Sequence, residues 1–448
     1  MTQQGNSWLI RNATLINEGQ RFISDLWVRD GRIARIAPVI EVPADTPVIE
    51  AGGLWLLPGM IDDQVHFREP GLTHKADIAS ESRACAAGGI TSFMEMPNTR
   101  PPALDQASLE AKYAIAAESS VVNYAFYLGA SNDNLEAIRR IDPRSTPGVK
   151  VFMGASTGNM LVDDPQVLDG IFRDTPVMII THCEDTPMID ANLARATLEY
   201  GEAIPAREHP LIRSREACIQ STRLAIDLAR KHGSRLHVLH ISTAEELELF
   251  EPGPLASKRI TAETCVHFLH FNDLDYERLG FLLKCNPAVK SETDRQAIVR
   301  ALADGRIDVL ATDHAPHLLE EKQALYTKAP SGLPLVQFAL QAALERVFAG
   351  ELSLERVVEA TSHAPARLFD VVGRGFLREG YAADLVLVDP HSPHRVERSQ
   401  VLSKCGWSPF EGTTFSSRIV GTFVNGQRVW DGSAIVPDIH GQRLAFDR

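Results

Sequence analysis

The spacing of apolar and polar positions changes character twice along this chain. Residues 8–16 and 25–36 alternate apolar with polar, and Asp30-Gly31 falls between two such runs, which predicts a β-hairpin. The same alternation returns in 383–389 and 421–430, with Asn425-Gly426 as its turn. Neither end carries enough strands for an independent sheet, so the two ends are expected to meet as one small β-sandwich built from 1–57 and 373–448. Between them the period is different. Short unbroken apolar runs at 56–61, 90–96, 122–128, 149–153, 177–180, 236–239, 259–262 and 307–311 are separated by helix-like segments, the pattern of a parallel sheet buried on both faces. Eight such units over 58–372 predict an α/β fold of the (β/α)8 barrel type. An open doubly wound sheet would require a glycine-rich phosphate turn after its first strand, and the sequence has none there.

A barrel gathers the carboxyl ends of its strands on one face, so the residues at those ends become candidates for a single site. The eighth run leads into 311–322, Ala-Thr-Asp-His-Ala-Pro-His-Leu-Leu-Glu-Glu-Lys, which places Asp313 just past the strand. The first run leads to Asp62-Asp63-Gln64-Val65-His66 and then Arg68; the fourth carries Lys150; the fifth and sixth lead to His182 and His240. A single strand-end histidine is as readily a hydrogen-bonded structural residue as a ligand. Nitrogen and carboxylate donors converging from five strands without a thiolate suit zinc or a similar divalent ion.

Composition narrows the partners. A formal net charge of −13 gives no electrostatic footprint for nucleic acid or an anionic membrane, so an anionic substrate must be met by locally placed cations. The first residues lack a basic segment followed by an apolar one, and no apolar run approaches the length of a membrane span, so a cytoplasmic protein is expected. Six cysteines without Cys-x-x-Cys spacing argue against both a disulfide framework and a thiolate metal site.

The stretch Ala-Thr-Asp-x-Ala-Pro-His with Lys322 five residues on resembles a signature of the dihydroorotases, members of the metal-dependent amidohydrolase superfamily. The likeness extends to 148–158 (Gly-Val-Lys-Val-Phe-Met-Gly-Ala-Ser-Thr-Gly), to 237–243 and to 405–412 (Cys-Gly-Trp-Ser-Pro-Phe-Glu-Gly). The resemblance implies one or two zinc ions held by His66, Lys150, His182, His240 and Asp313, with Lys150 carboxylated so that its carbamate bridges two cations. Where the family has the first histidine of a His-x-His pair, this chain has Gln64, a weaker and neutral donor. Two arrangements follow: a two-metal site with one labile ion near Gln64, or a single ion held by Lys150, His182 and His240.

For the substrate, the resemblance assigns Arg68, Asn98 and His317 to a carboxylate and Asn286 to a contacting loop. An arginine fork suits a carboxylate, whereas hydantoinase-like relatives act on rings that lack one. Asn98 and Asn286, each beside a proline, read equally well as turn residues. The implied reaction interconverts L-dihydroorotate and N-carbamoyl-L-aspartate in pyrimidine synthesis, with metal-activated hydroxide as nucleophile and Asp313 as proton shuttle. The rival readings are another cyclic amidase (hydantoinase or allantoinase) and a non-catalytic paralogue that scaffolds aspartate transcarbamoylase. A homodimer is the expected oligomer. Gly332, after Ala329-Pro330-Ser331, marks a candidate mobile loop.

Overall fold

The computed structural model describes residues 7–154 and 160–448; the Ala155–Gly158 end of the 148–158 motif and the first six residues lie outside them. Eight parallel strands form the barrel: β1 (Met60–Val65), β2 (Ile90–Glu95), β3 (Asn123–Phe126, resuming as Leu128–Gly129), β4 (Gly148–Phe152), β5 (Met178–His182), β6 (Leu236–Val238), β7 (Ile260–Cys265) and β8 (Val309–Ala311). β3 is interrupted at Tyr127: its first part pairs with β2 and its second with β4. The circuit closes through a parallel bridge from Val65 to His314 and a His66 N–H bond to the His314 carbonyl (2.7 Å). Asp62 reinforces the closure, accepting from the Thr312 hydroxyl (2.6 Å) and the Thr312 backbone N–H (3.2 Å).

The strands are apolar and buried over nearly their whole length, as a sheet covered on both faces requires. Ile61, Met94, Ala125, Ile180 and Val309 meet Tyr127 and Phe369 in one apolar cluster drawn from strands around the barrel. Helices cover the outside, and several begin where the sequence supplies a cap: Asp77 and Asp105 form capping boxes, Asp185 caps the helix after β5, and Ser291 caps the helix Glu292–Ala303.

Strands from the two chain ends join in a separate eight-stranded sheet. The hairpin Gln20–Arg29 to Arg32–Ala37 turns at Asp30-Gly31, and Arg418–Val424 to Gln427–Trp430 turns at Asn425-Gly426. Leu385–Asp389 links the two contributions by pairing with Trp55–Pro58 on one side and Arg418–Val424 on the other. The apolar run at 56–61, expected to be one strand, is divided between the two sheets. Leu56 and Leu57 pair with Leu387 and Val386, whereas Met60 begins β1 opposite Ile90. The division falls at Gly59, where a Cβ would lie 2.0 Å from the Thr91 hydroxyl oxygen. Hydrophobicity does not mark this switch because both halves are buried.

Candidate active site

Every residue singled out from the sequence lines one cavity of about 210 Å³ at the carboxyl ends of the strands: Gln64, His66, Arg68, Asn98, Lys150, His182, His240, Asn286, Asp313 and His317. Phe152, Ala315 and the loop Pro330, Ser331 and Gly332 complete it. Three of these side chains sit on left-handed backbone, Arg68 (φ 69°), His240 (φ 41°) and Asp313 (φ 52°). That conformation costs a non-glycine residue about 1–3 kcal/mol and tends to be retained at functional sites.

On one wall, His182 and His240 face each other with Nδ1 and Nε2 2.9 Å apart. His182 Nε2 lies 2.9 Å from Glu184 Oε2, and Glu184 is itself paired with Arg213. A proton shared with that carboxylate leaves Nδ1 of His182 as a lone pair directed at His240. Burial lowers the pKa of both imidazoles, so both favour the neutral, metal-binding form. Lys150, on β4, is buried beside them with Nζ 4.7 Å from the Phe152 ring centroid. Desolvation lowers its pKa to about 8, against an opposing pull from Asp313.

Asp313 occupies the opposite wall. Its Oδ1 receives the Gln64 Nε2–H (3.0 Å) and lies 3.2 Å from His66 Nε2. His66 Nδ1 is 2.7 Å from the Asn98 carbonyl oxygen and donates to it. Asn98, expected at a substrate carboxylate, therefore also orients His66. Burial keeps His66 neutral, so its Nε2 lone pair points at a carboxylate oxygen. Three neutral imidazoles, a carboxylate and a buried amine fit a divalent ion of the zinc class.

The third part of the cavity is cationic. His317 has Arg68 Nη2 3.0 Å from its Nε2 and Lys75 Nζ 3.0 Å from its Nδ1. Desolvation first, then Arg68 and Lys75, push the His317 pKa well down, so the ring is neutral with one N–H. With the proton on Nε2 the ring donates to the Ser331 carbonyl (3.1 Å), and Nδ1 accepts from Lys75. Arg68 also donates Nε–H to the Pro316 carbonyl (3.2 Å), which fixes its fork in place.

The sequence reading missed the supports of this site. Lys322 is buried, and its Nζ donates to the carbonyls of Lys284 (2.8 Å), Pro330 (2.9 Å) and Gly332 (3.0 Å). Lys284 Nζ binds the carbonyls of Tyr326 and Ala329, each at 2.6 Å. The loop around Gly332, expected to be mobile, is held by these two lysines at four of its carbonyls. Trp407, in the 405–412 motif, donates its indole N–H to the His317 carbonyl (2.8 Å). Glu81 lies against His314 Nε2 (2.9 Å) and accepts the backbone N–H of Lys404 (2.9 Å). Lys322 and Trp407 belonged to quoted motifs; Glu184, Arg213 and Glu81 left no sequence signal.

The profile of the amidohydrolase family matches residues 55–429. The chain belongs to this family. Amidohydrolases are generally metal-dependent, in keeping with the donor set described. Among relatives, this amidohydrolase is 35% identical over 431 residues to a dihydroorotase of Halobacterium salinarum, covering 93% of this chain and 97% of the relative. It is 32% identical over 436 residues to an allantoinase of Rubrobacter xylanophilus, covering 96% and 95%. Among solved structures, the L-hydantoinase from Arthrobacter aurescens superimposes with a TM-score of 0.91 at 28% identity, covering 98% of this chain and 99% of that one. The cyclic amidohydrolase chemistry and the barrel with a separate β-sheet domain are common ground among these relatives.

Proposed function

We propose that this amidohydrolase is a dihydroorotase that interconverts L-dihydroorotate and N-carbamoyl-L-aspartate in pyrimidine synthesis. The observation that carries the reading is the contact of Arg68 and Lys75 with His317. Of the two cations, Lys75 is paired with Glu321 (2.9 Å), whereas Arg68 is buried in the cavity wall, where a carboxylate would meet its fork and offset its charge. A substrate bearing a carboxylate beside its reactive amide meets this requirement; hydantoin and allantoin carry none.

In the proposed complex Arg68 and His317 hold the carboxylate, with Asn286 near it, and this sets the ring amide toward Asp313. A divalent metal held by Lys150, His182 and His240 on one wall and by His66 and Asp313 on the other would supply carbonyl polarisation and an activated water. Asp313 accepts a proton from the nucleophilic water and returns it to the departing nitrogen. One carboxylate serves both steps because it alternates between base and acid. Lys150 is taken as carboxylated: burial favours its neutral amine, the form that reacts with CO2.

The test is the rate of L-dihydroorotate hydrolysis, followed by ultraviolet absorbance, with zinc-reconstituted protein in bicarbonate, beside dihydrouracil, hydantoin and allantoin. Preference for L-dihydroorotate, lost in Arg68→Met, supports the reading. Faster turnover of allantoin or hydantoin replaces it with the corresponding amidase, and no turnover of any ring by folded, metal-loaded protein favours a scaffold. The same proposal takes the protein as a cytoplasmic homodimer, and light scattering with and without aspartate transcarbamoylase tests that partner.

A further inference from the structure

Inside the barrel, Asp63 of β1, His237 of β6 and Glu263 of β7 come together, all fully buried. None of the three lines the active-site cavity. Their tautomeric state follows from a neighbour. The Thr261 hydroxyl donates its only proton to the Leu236 carbonyl (3.2 Å), so it must accept from His237 Nδ1, 2.8 Å away. The other ring nitrogen, Nε2, then faces Asp63 Oδ2 at 3.5 Å and Glu263 Oε2 at 3.3 Å. Both oxygens of Asp63 lack a hydrogen-bond partner among the described residues.

Two occupants of that space are chemically reasonable, a proton on Nε2 or a metal ion among the three groups. A proton shared with a carboxylate draws nitrogen and oxygen to about 2.7–2.9 Å. Ligand atoms at about 2.0–2.1 Å from a tetrahedral zinc ion lie about 3.3–3.4 Å from one another. The observed separations match the second spacing. A divalent ion among the three groups would neutralise both carboxylates, and an unpaired buried charge is costly. One imidazole nitrogen and two carboxylates are a donor set for zinc, manganese or iron(II), and the second Asp63 oxygen is available as a further donor.

We infer that Asp63, His237 and Glu263 form a second, structural site for a divalent transition-metal ion, one layer below the active-site cavity and separate from it. Its ligands come from three strands, so a bound ion cross-links β1, β6 and β7 from within. Full burial makes exchange slow, and loading accompanies folding.

The deciding experiment is anomalous diffraction at the zinc edge from crystals of the full-length protein refolded and grown with zinc. A peak within bonding distance of Asp63, His237 and Glu263, besides any in the upper cavity, is expected. No peak there, with His237 Nε2 closed to hydrogen-bond distance on a carboxylate, overturns the site. Metal content supplies the second readout. His182→Ala/His240→Ala protein, treated with chelator while folded, is expected to retain about one equivalent of zinc, and adding Asp63→Leu to remove it. Equal retention with and without Asp63→Leu overturns the site; if that variant fails to fold, the diffraction result on the unaltered chain decides.

Discussion

The side-chain amide of Gln64 donates to Oδ1 of Asp313 across 3.0 Å. A carbonyl oxygen in that place would confront the carboxylate, a contact that needs a cation between; the nitrogen needs none. Gln64 thereby occupies one lone pair of Asp313 with a proton, where a histidine would offer a lone pair to a metal. Replacing Gln64 with His is expected to add about one equivalent of tightly bound zinc, counted by elemental analysis after gel filtration. Unchanged stoichiometry would show that Gln64 does not limit metal binding on this wall.

Asp313→Asn keeps the shape and removes the proton acceptor. Turnover of L-dihydroorotate is expected to fall by about 10²–10⁴-fold, the range for loss of a general acid–base group, while calorimetry still detects substrate binding. A variant that turns over normally would take the proton shuttle away from Asp313.

Glu184 holds His182 from behind and is itself held by Arg213. Such carboxylate partners set the orientation and basicity of a ligating imidazole, and losing one costs about 10–100-fold in metal affinity. Glu184→Gln is expected to weaken zinc binding by that factor in competition with a chromophoric chelator. The substitution also removes the charge partner of Arg213, so Arg213→Met, which leaves the carboxylate on His182, is the control.

Lys322→Met removes three hydrogen bonds to the carbonyls of Lys284, Pro330 and Gly332 without leaving a gap of different length. Each orphaned buried carbonyl costs on the order of 1 kcal/mol or more. Backbone amides of 330–332 are expected to exchange hydrogen faster and KM to rise more than kcat falls. Unchanged exchange would mean that Lys284 alone restrains the loop.

His270 packs against Phe410 (ring centroids 5.0 Å) and Phe271, and burial pushes its pKa down to about 4 from 6.5. Between those values the unfolded chain takes up a proton that the folded chain refuses. The group therefore adds its full stability above about pH 6.5 and loses it as pH falls toward 4. In urea titrations His270→Phe is expected to lose part of the decline in stability between pH 6.5 and 4. An identical decline in both proteins would assign it to other groups.

Much of this molecule is legible in one dimension. Alternation at the chain ends and unbroken apolar runs between them reflect which faces of a strand meet water, and that is a local property of the sequence. The barrel places strand ends on one face, so Asp313, His182 and His240 could be brought together on paper before any distance was known. What the sequence could not express is pairing between residues far apart in it. The division of 56–61 between two sheets falls where Gly59 lies against Thr91, a residue 32 positions away. The roles of Glu184, Lys322 and Trp407 depend on groups they reach only after folding. His237 lies within the 237–243 stretch without any mark in the sequence that sets it apart. Only the closed barrel sets its Nε2 opposite Asp63 and Glu263, because the spacing of three strands, not their sequence, determines which buried groups must share one space.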